Sequence, residues 1–372
     1  MHHDIAGAQC PTVNSPMKCV WTSILLLSAV LIAPAWSFAQ TSGGFGNTLS
    51  EIVALAKKEG KVRVCSSSPD ERDVDKFFAE FRKKYPGITV EYTRCRGTES
   101  RERILTELIA GQIEYDLLHV SDELIPKYRK AGVLAGPFEW SRLFGINPIY
   151  VSPDRHLVGA GSSVYAILYN PKLVAQEKIP RDWGDCLDAY WRGKFLVGTR
   201  ANVFISLYPA WGKEKLLDYV RRLAANKPIW VREGGTEAMN GVIAGEHPML
   251  CGAYLSSALR SLSRDPRAPL GISIPREVPA NLFATFGIVK NGRYRNAALL
   301  LAGYLASDEG QKSYRSVFRE SPYDEGSETG RRIKEAGSKI IFTGWDFTAE
   351  KEDEVLRWIL QIWGFPMGQE SR

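Results

Sequence analysis

Small polar residues and arginines gather where the first three extended segments of this chain end. Residues 61–65 alternate like a strand and run into Ser66, Ser67 and Ser68. Residues 88–94 run likewise into Arg96, Gly97 and Thr98, and residues 115–120 into Ser121 and Asp122 beside His119. Serine hydroxyls and free N–H groups at the start of a following helix can cradle an anion. An arginine fork can hold a carboxylate or phosphate through two parallel bonds. The same residues also serve as ordinary caps and solvated turns, so type and spacing leave both roles open. Arg94 is the weaker arginine, because strand alternation turns it to the other face.

The second half offers a matching set. Arg200 and Asn202 follow an extended run at 194–198, and Gly234, Gly235 and Thr236 precede a helical stretch at 237–244. Tyr254 ends the strand-like run 249–254. Ser162, Ser163 and Tyr165 lie in a long extended segment at 157–170. Enzyme signatures are missing: no G-x-S-x-G elbow and no G-x-x-x-x-G-K-[ST] loop occurs. Past the leader the histidines are His119, His156 and His247, without metal-ligand spacing. Gly159-Ala160-Gly161 lacks the third glycine of a dinucleotide fingerprint and reads as flexible hinge backbone. No resident cofactor is expected.

Composition sets the frame for these residues. The chain has 372 residues, 44% hydrophobic and 24% charged, enough for two lobes with separate cores. Residues 1–39 stand apart: Lys18, an apolar run over 20–33, then Ser37-Phe38-Ala39 before Gln40 make a secretory signal peptide, with Met17 an alternative start. Export implies a periplasmic, oxidising setting, and no membrane insertion once the leader is removed. Cys65, Cys95, Cys186 and Cys251 remain, an even number that allows three complete pairings. The formal charge is +6, without a basic block or aromatic RNA motif, which argues against nucleic acid.

The elements that must position the polar ends alternate between helix and strand. Helices are predicted over 49–59, 73–85, 101–109, 183–192, 213–225, 237–244, 295–306 and 309–318. Strands are predicted over 61–65, 88–94, 115–120, 157–170, 194–198, 229–231, 249–254 and 283–289. Short connections between alternating elements imply parallel α/β sheets, whose ligands bind beyond the carboxyl ends of the strands. Two connections between two such units make a hinged pair of lobes: 45–160 plus 270–372, and 161–269.

Seven blocks in order carry a resemblance: ALAKKEGKVRVCSSSPDE, FRKKYPGITVEY, YDLLHVSD, AILYNPKLV, WGDCLDAYWRGKFLVG, AGEHPMLCGAY and NAALLLAGYLASDEGQKSY. Together they span most of 49–320. The chain resembles bacterial periplasmic solute-binding proteins of ABC importers, in the group that includes the ferric-iron-binding proteins. The resemblance implies a type II periplasmic-binding fold, two α/β lobes joined by a two-segment hinge with the ligand cleft between them. It also implies a monomeric receptor without catalysis, partnered by a permease and its ATPase. Its candidate contacts are the residues above: Ser66, Ser67, Ser68, Arg96, Gly97, Thr98, Ser121, Ser163, Tyr165, Arg200, Asn202, Gly235, Thr236 and Tyr254.

One departure bears on the ligand. Ferric-binding relatives carry adjacent tyrosines just beyond the Gly-Glu turn, whereas Gly245-Glu246 here leads to Tyr254-Leu255-Ser256-Ser257. A single phenolate suits Fe(III) poorly, so a small polar, anionic solute is expected, with ferric iron, or a sensor subunit for a receptor kinase, as alternatives. Cys65 and Cys95 fall at the ends of neighbouring parallel strands. A disulfide is favoured there over two free thiols or a Cys-Cys-His site with His119, and Cys186 with Cys251 forms the second candidate pair.

Overall fold

The computed structural model describes residues 44–121, 124–231 and 235–365. The expected signal peptide, Asp122 and Gly234 lie outside them, as does the side chain of Thr98.

Helix α1 (Leu49–Glu59) buries Ile52 and Ala56, one turn apart, and stops at Gly60, whose φ of 69° is left-handed. Strand β1 (Lys61–Ser66) leads through a serine-rich loop to α2 (Val74–Lys84), which buries Phe77, Phe78 and Phe81. Strand β2 (Thr89–Arg94), α3 (Gly97–Ile109) and β3 (Leu117–His119) complete the expected unit, with β1 parallel to both β2 and β3. Short helices α4 (Ile125–Ala131) and α5 (Trp140–Phe144) then lead to β4 (Leu157–Tyr169), buried along nearly its whole length.

The second unit contains β5 (Leu196–Gly198), α6 (Asn202–Ile205), α7 (Tyr208–Ala225), β6 (Ile229–Val231), α8 (Gly235–Ala244), β7 (Met249–Tyr254), α9 (Leu255–Arg264) and β8 (Gly271–Ser273). Strand β9 (Glu277–Ile288) carries the chain back to α10 (Arg295–Ala306) and α11 (Gln311–Arg315). Beyond them come α12 (Glu328–Glu335), β10 (Lys339–Phe342), α13 (Trp345–Glu350) and α14 (Glu352–Trp363). The sheet order is β2-β1-β3-β9-β4-β7-β5-β6, with β10 on β9 and β8 on β4. Strand β4 pairs antiparallel with β9 over 157–164 and with β7 over 165–169. These two strands therefore pass through both lobes.

Three elements differ from expectation. Residues 183–192 form two 3-10 turns, not an α-helix, because Asp182 and Asp188 accept hydrogen bonds from Trp183 and Tyr190 N–H and divert the backbone. The predicted helix 309–318 is cut to α11, and Phe318 at φ 56° turns the chain away. Residues 270–372 are expected in the first lobe, yet α14 packs on α7. Its Val355, Ile359 and Trp363 join a core with Trp183, Phe204 and Tyr219 of the second lobe.

The first-lobe core closes around α10, whose residues from Asn296 to Ala306 are all buried. A helix apolar on every side must be surrounded. Its N-terminus is met by Glu59, which accepts from Ala297 N–H at 2.8 Å and Asn296 N–H at 3.1 Å, placing negative charge where the helix dipole favours it. Next to it, buried Asp116 accepts from Arg63 N–H (3.0 Å), Nε (2.8 Å) and Nη2 (2.8 Å), and from Tyr294 N–H (3.1 Å). This carboxylate ties β1 to the segment ahead of α10.

Cys65 is bonded to Cys95 (Cα–Cα 5.6 Å) and Cys186 to Cys251 (Cα–Cα 6.3 Å). The first pair joins adjacent strand ends, as the parallel order predicts, and leaves no thiolate for a Cys-Cys-His metal site.

Two stability predictions follow from these ties. Asp116→Ala strands Arg63 beside a buried void and is expected to cost about 3–5 kcal/mol, read from the denaturant midpoint. The 186–251 bridge closes the longer loop, with a separation of 65 against 30. Replacing both its cysteines with alanine should cost roughly 4 kcal/mol, somewhat more than the same change at 65 and 95, on the loop-entropy account. Equal losses in calorimetric melts would count against that account.

Candidate ligand-binding cleft

The serine loop is held from below. Ser66 is buried, and its carbonyl accepts from Cys95 N–H at 3.0 Å. The Tyr92 hydroxyl lies 3.0 Å from Ser66 O and 2.7 Å from Pro69 O, and burial keeps this phenol protonated by raising its pKa far above the usual range. Ser67 Oγ lies 2.9 Å from His119 Nδ1, which also accepts from Ser67 N–H at 3.4 Å. The imidazole thereby orients the Ser67 hydroxyl at the edge of the cleft.

Beyond this loop lies a cleft of about 620 Å³. From the first lobe it is lined by Ser67, Ser68, Asp70, Arg72, Arg94, Arg96, Gly97 and Arg101. Two helix faces line it from the second lobe. Helix α8 presents Thr236, Met239 and Asn240, and α9 presents Ser257, Arg260, Ser261 and Arg264. The α9 residues follow helical spacing, with Leu255, Ala258 and Leu259 buried on the other side.

Arg319 also lines the cleft, from a distant part of the chain. Its placement depends on β4, whose ladder with β9 shifts register on both sides of Gly161. A Cβ at Gly161 would lie 2.7 Å from the Tyr314 ring and 3.0 Å from Arg319 O, so only glycine admits the 314–319 turn so closely. Ser162 N–H then donates to Arg319 O at 2.8 Å. The guanidinium donates to Ser163 Oγ at 2.7 Å and lies 5.4 Å from the Tyr254 ring centroid. The glycines read as flexible hinge backbone thus form a bulge that docks an arginine.

Charge is the dominant property. Among the described residues, seven arginines line the cleft against one acid, Asp70. Asp70 pairs with Arg94 and lies 3.7 Å from both Arg72 and Arg260, so it reaches arginines of both lobes. Burial lowers the Arg260 pKa, with repulsion from Arg264 and Arg72 added and Asp70 opposing. Burial likewise pushes Arg319 down to about 10, aided by repulsion from Arg260. At that value Arg319 is still charged at neutral pH.

The residues singled out from sequence fall into three groups. Ser67, Ser68, Arg96, Gly97 and Thr236 line the cleft, and Gly235 begins α8 beside Thr236. Ser163 and Tyr254 stand one contact behind it, through Arg319. The Tyr165 ring packs against Tyr254, centroids 4.9 Å apart and tilted by 33°, and Asn202 Nδ2 donates to the Tyr254 hydroxyl at 3.3 Å. Ser66 and Ser121 are buried, while Arg200 is exposed and outside the lining. Arg94, the weaker arginine from sequence, does reach the cleft. Sequence reasoning missed Asp70, Arg319 and the whole face of α9; for α9 the signal was present, as Leu255, Ala258, Leu259 and Leu262 at helical spacing.

Among the described residues, no three His, Cys, Asp or Glu side chains gather as a metal ion requires. The adjoining Tyr165 and Tyr254 would have to ionise to serve ferric iron, and burial raises the Tyr165 pKa well above its ordinary value.

Comparison with known proteins places this geometry. Iron-bound HitA from Pseudomonas aeruginosa superposes with a TM-score of 0.64 at 17% identity, over 81% of this chain and 99% of that one. IdiA (FutA) from Trichodesmium, in complex with iron and citrate, gives 0.65 at 20% identity over 81% and 99%. AfuA from Actinobacillus pleuropneumoniae, with fructose-6-phosphate bound, gives 0.59 at 15% identity over 82% and 99%. At these identities the likeness is one of fold, the two-lobed type II periplasmic-binding fold. No curated protein sequence gives a significant match. The family model for bacterial extracellular solute-binding proteins matches residues 67–312, from the serine loop to α11, and the chain belongs to that family.

Proposed function

We propose that this protein captures a small anionic solute in the arginine-lined cleft and delivers it to the permease of an ABC importer from the periplasm, without chemistry of its own. The observation that carries this reading is the excess of arginine over acid among the described lining residues, seven to one. Guanidinium groups brought together from two lobes repel one another, and the repulsion is strongest where water is excluded. An anion between them turns that repulsion into attraction on both sides. Ligand contacts from both lobes then favour the closed arrangement, which is how a hinged receptor reports occupancy. Fe(III) would meet mainly cations in this cleft, so an iron cargo fits it only as a complex with an anion.

Two expectations test the proposal by titration calorimetry with phosphate, sulfate, citrate and simple carboxylates. At least one of these probes should bind, with affinity falling as NaCl is raised from 20 to about 300 mM. Arg260→Gln should weaken that binding about 10- to 100-fold, the loss of one charge-assisted contact. Asp70→Asn should tighten it by up to about tenfold, by removing the acid that competes for Arg94 and Arg260. Binding that ignores both salt and Arg260 would sink the reading, and a visible charge-transfer band on adding ferric salt alone would replace it with iron.

A further inference from the structure

We infer that the ligand is a small hydroxylated molecule carrying two phosphate-type groups, one for each lobe of the cleft. The inference rests on the anion-receptor reading above and concerns the same site.

The first observation is that the arginines come in two banks. Arg94 and Arg96 flank the end of β2 and the start of α3, with Arg101 one turn further on. Arg260 and Arg264 lie one turn apart on α9. Asp70 lies between the banks, paired with Arg94 of one and 3.7 Å from Arg260 of the other. The inner members of the two banks therefore share a resident carboxylate. The outer members, Arg96 and Arg264, have no ion-pair partner among the described residues, and both are exposed. They are where two further anionic groups would be held, on either side of Asp70.

The second observation is the charge left to neutralise. Leaving aside Arg101 and Arg319, the described lining holds five arginines against Asp70, an excess of four positive charges in about 620 Å³. A monocarboxylate offsets one of them. Two phosphate esters carry roughly three to four negative charges near neutral pH, and their tripod of oxygens matches several guanidinium forks at once.

The third observation is what lies between the banks. Thr236, Asn240, Ser257 and Ser261 supply hydroxyls and an amide, and Ser67 adds a hydroxyl oriented by His119. Among the described lining residues, Met239 is the one apolar side chain and none is aromatic. A nucleobase would find no stacking platform here, whereas a polyol would find partners for its hydroxyls.

The test uses the full exported chain and titration calorimetry at pH 7.5, at 20 and 150 mM NaCl. The probes are glucose 1,6-bisphosphate and fructose 1,6-bisphosphate, each beside its 6-phosphate and the free sugar. At least one bisphosphate is expected to bind tenfold or more tighter than its monophosphate, with free sugars silent. Arg96→Gln and Arg264→Gln should each weaken the bisphosphate tenfold or more, while the monophosphate responds to only one of them. Monophosphates or simple carboxylates binding as tightly as the bisphosphates would overturn this inference and leave the anion receptor standing. If no anion of either panel binds at low salt, both fall together.

Discussion

The antiparallel ladder between β4 and β9 is the constraint on which the molecule depends. Both strands run through both lobes, so their register sets where one lobe lies against the other. Everything that lines the cleft is suspended from this ladder. Strands β3 and β1 attach on the β9 side and carry the serine loop, while β7 attaches to β4 and leads directly into α9. A one-residue slip would exchange the two faces of each strand, and the buried pattern of β4 makes such a slip very costly. The bulge at Gly161 is the local exception that the ladder tolerates, and it admits the turn bearing Arg319.

A cleft so rich in one sign of charge stores unfavourable energy in the folded protein. Asp70 relieves some of it by holding Arg94 and standing near Arg72 and Arg260. Burial and mutual repulsion together lower the pKa of Arg260 and Arg319, the expected signature of cations kept close by a rigid frame. The frame can bear this because its stability comes from elsewhere: the closed apolar surround of α10, the four hydrogen bonds into Asp116, and two disulfides.

Much of the fold was legible because local periodicity and tertiary burial agree in it. Ile52 with Ala56, and Phe77, Phe78 and Phe81, lie at helical spacing and are buried as that spacing requires. The Cys65–Cys95 pair followed from two neighbouring strand ends. The site was less legible, for separate physical reasons. In the serine loop, alternation sends Ser66 inward and Ser67 to the cleft, yet three identical residues in a row conceal which is which. Helix α9 hides behind its polar face, where serines and arginines look like a solvated loop until the leucines beneath are counted. Arg319 reaches the cleft only through a bulge more than 150 residues earlier in the chain (its partner Ser163 lies 156 positions away), and no local pattern signals that. Residues 183–192 misled because aspartate carboxylates competed for backbone N–H groups.

The seating of α14 has a consequence for the order in which the chain can become complete. Val355, Ile359 and Trp363 fill the core around Trp183, Phe204 and Tyr219, a core whose other buried residues lie between 165 and 251 apart from Ile341. A chain that emerges from a ribosome with its N-terminus first can assemble β1, β2 and β3 early. Its second lobe must wait, with an apolar face open, until nearly a hundred further residues have followed. That core is complete only once α14 is in place.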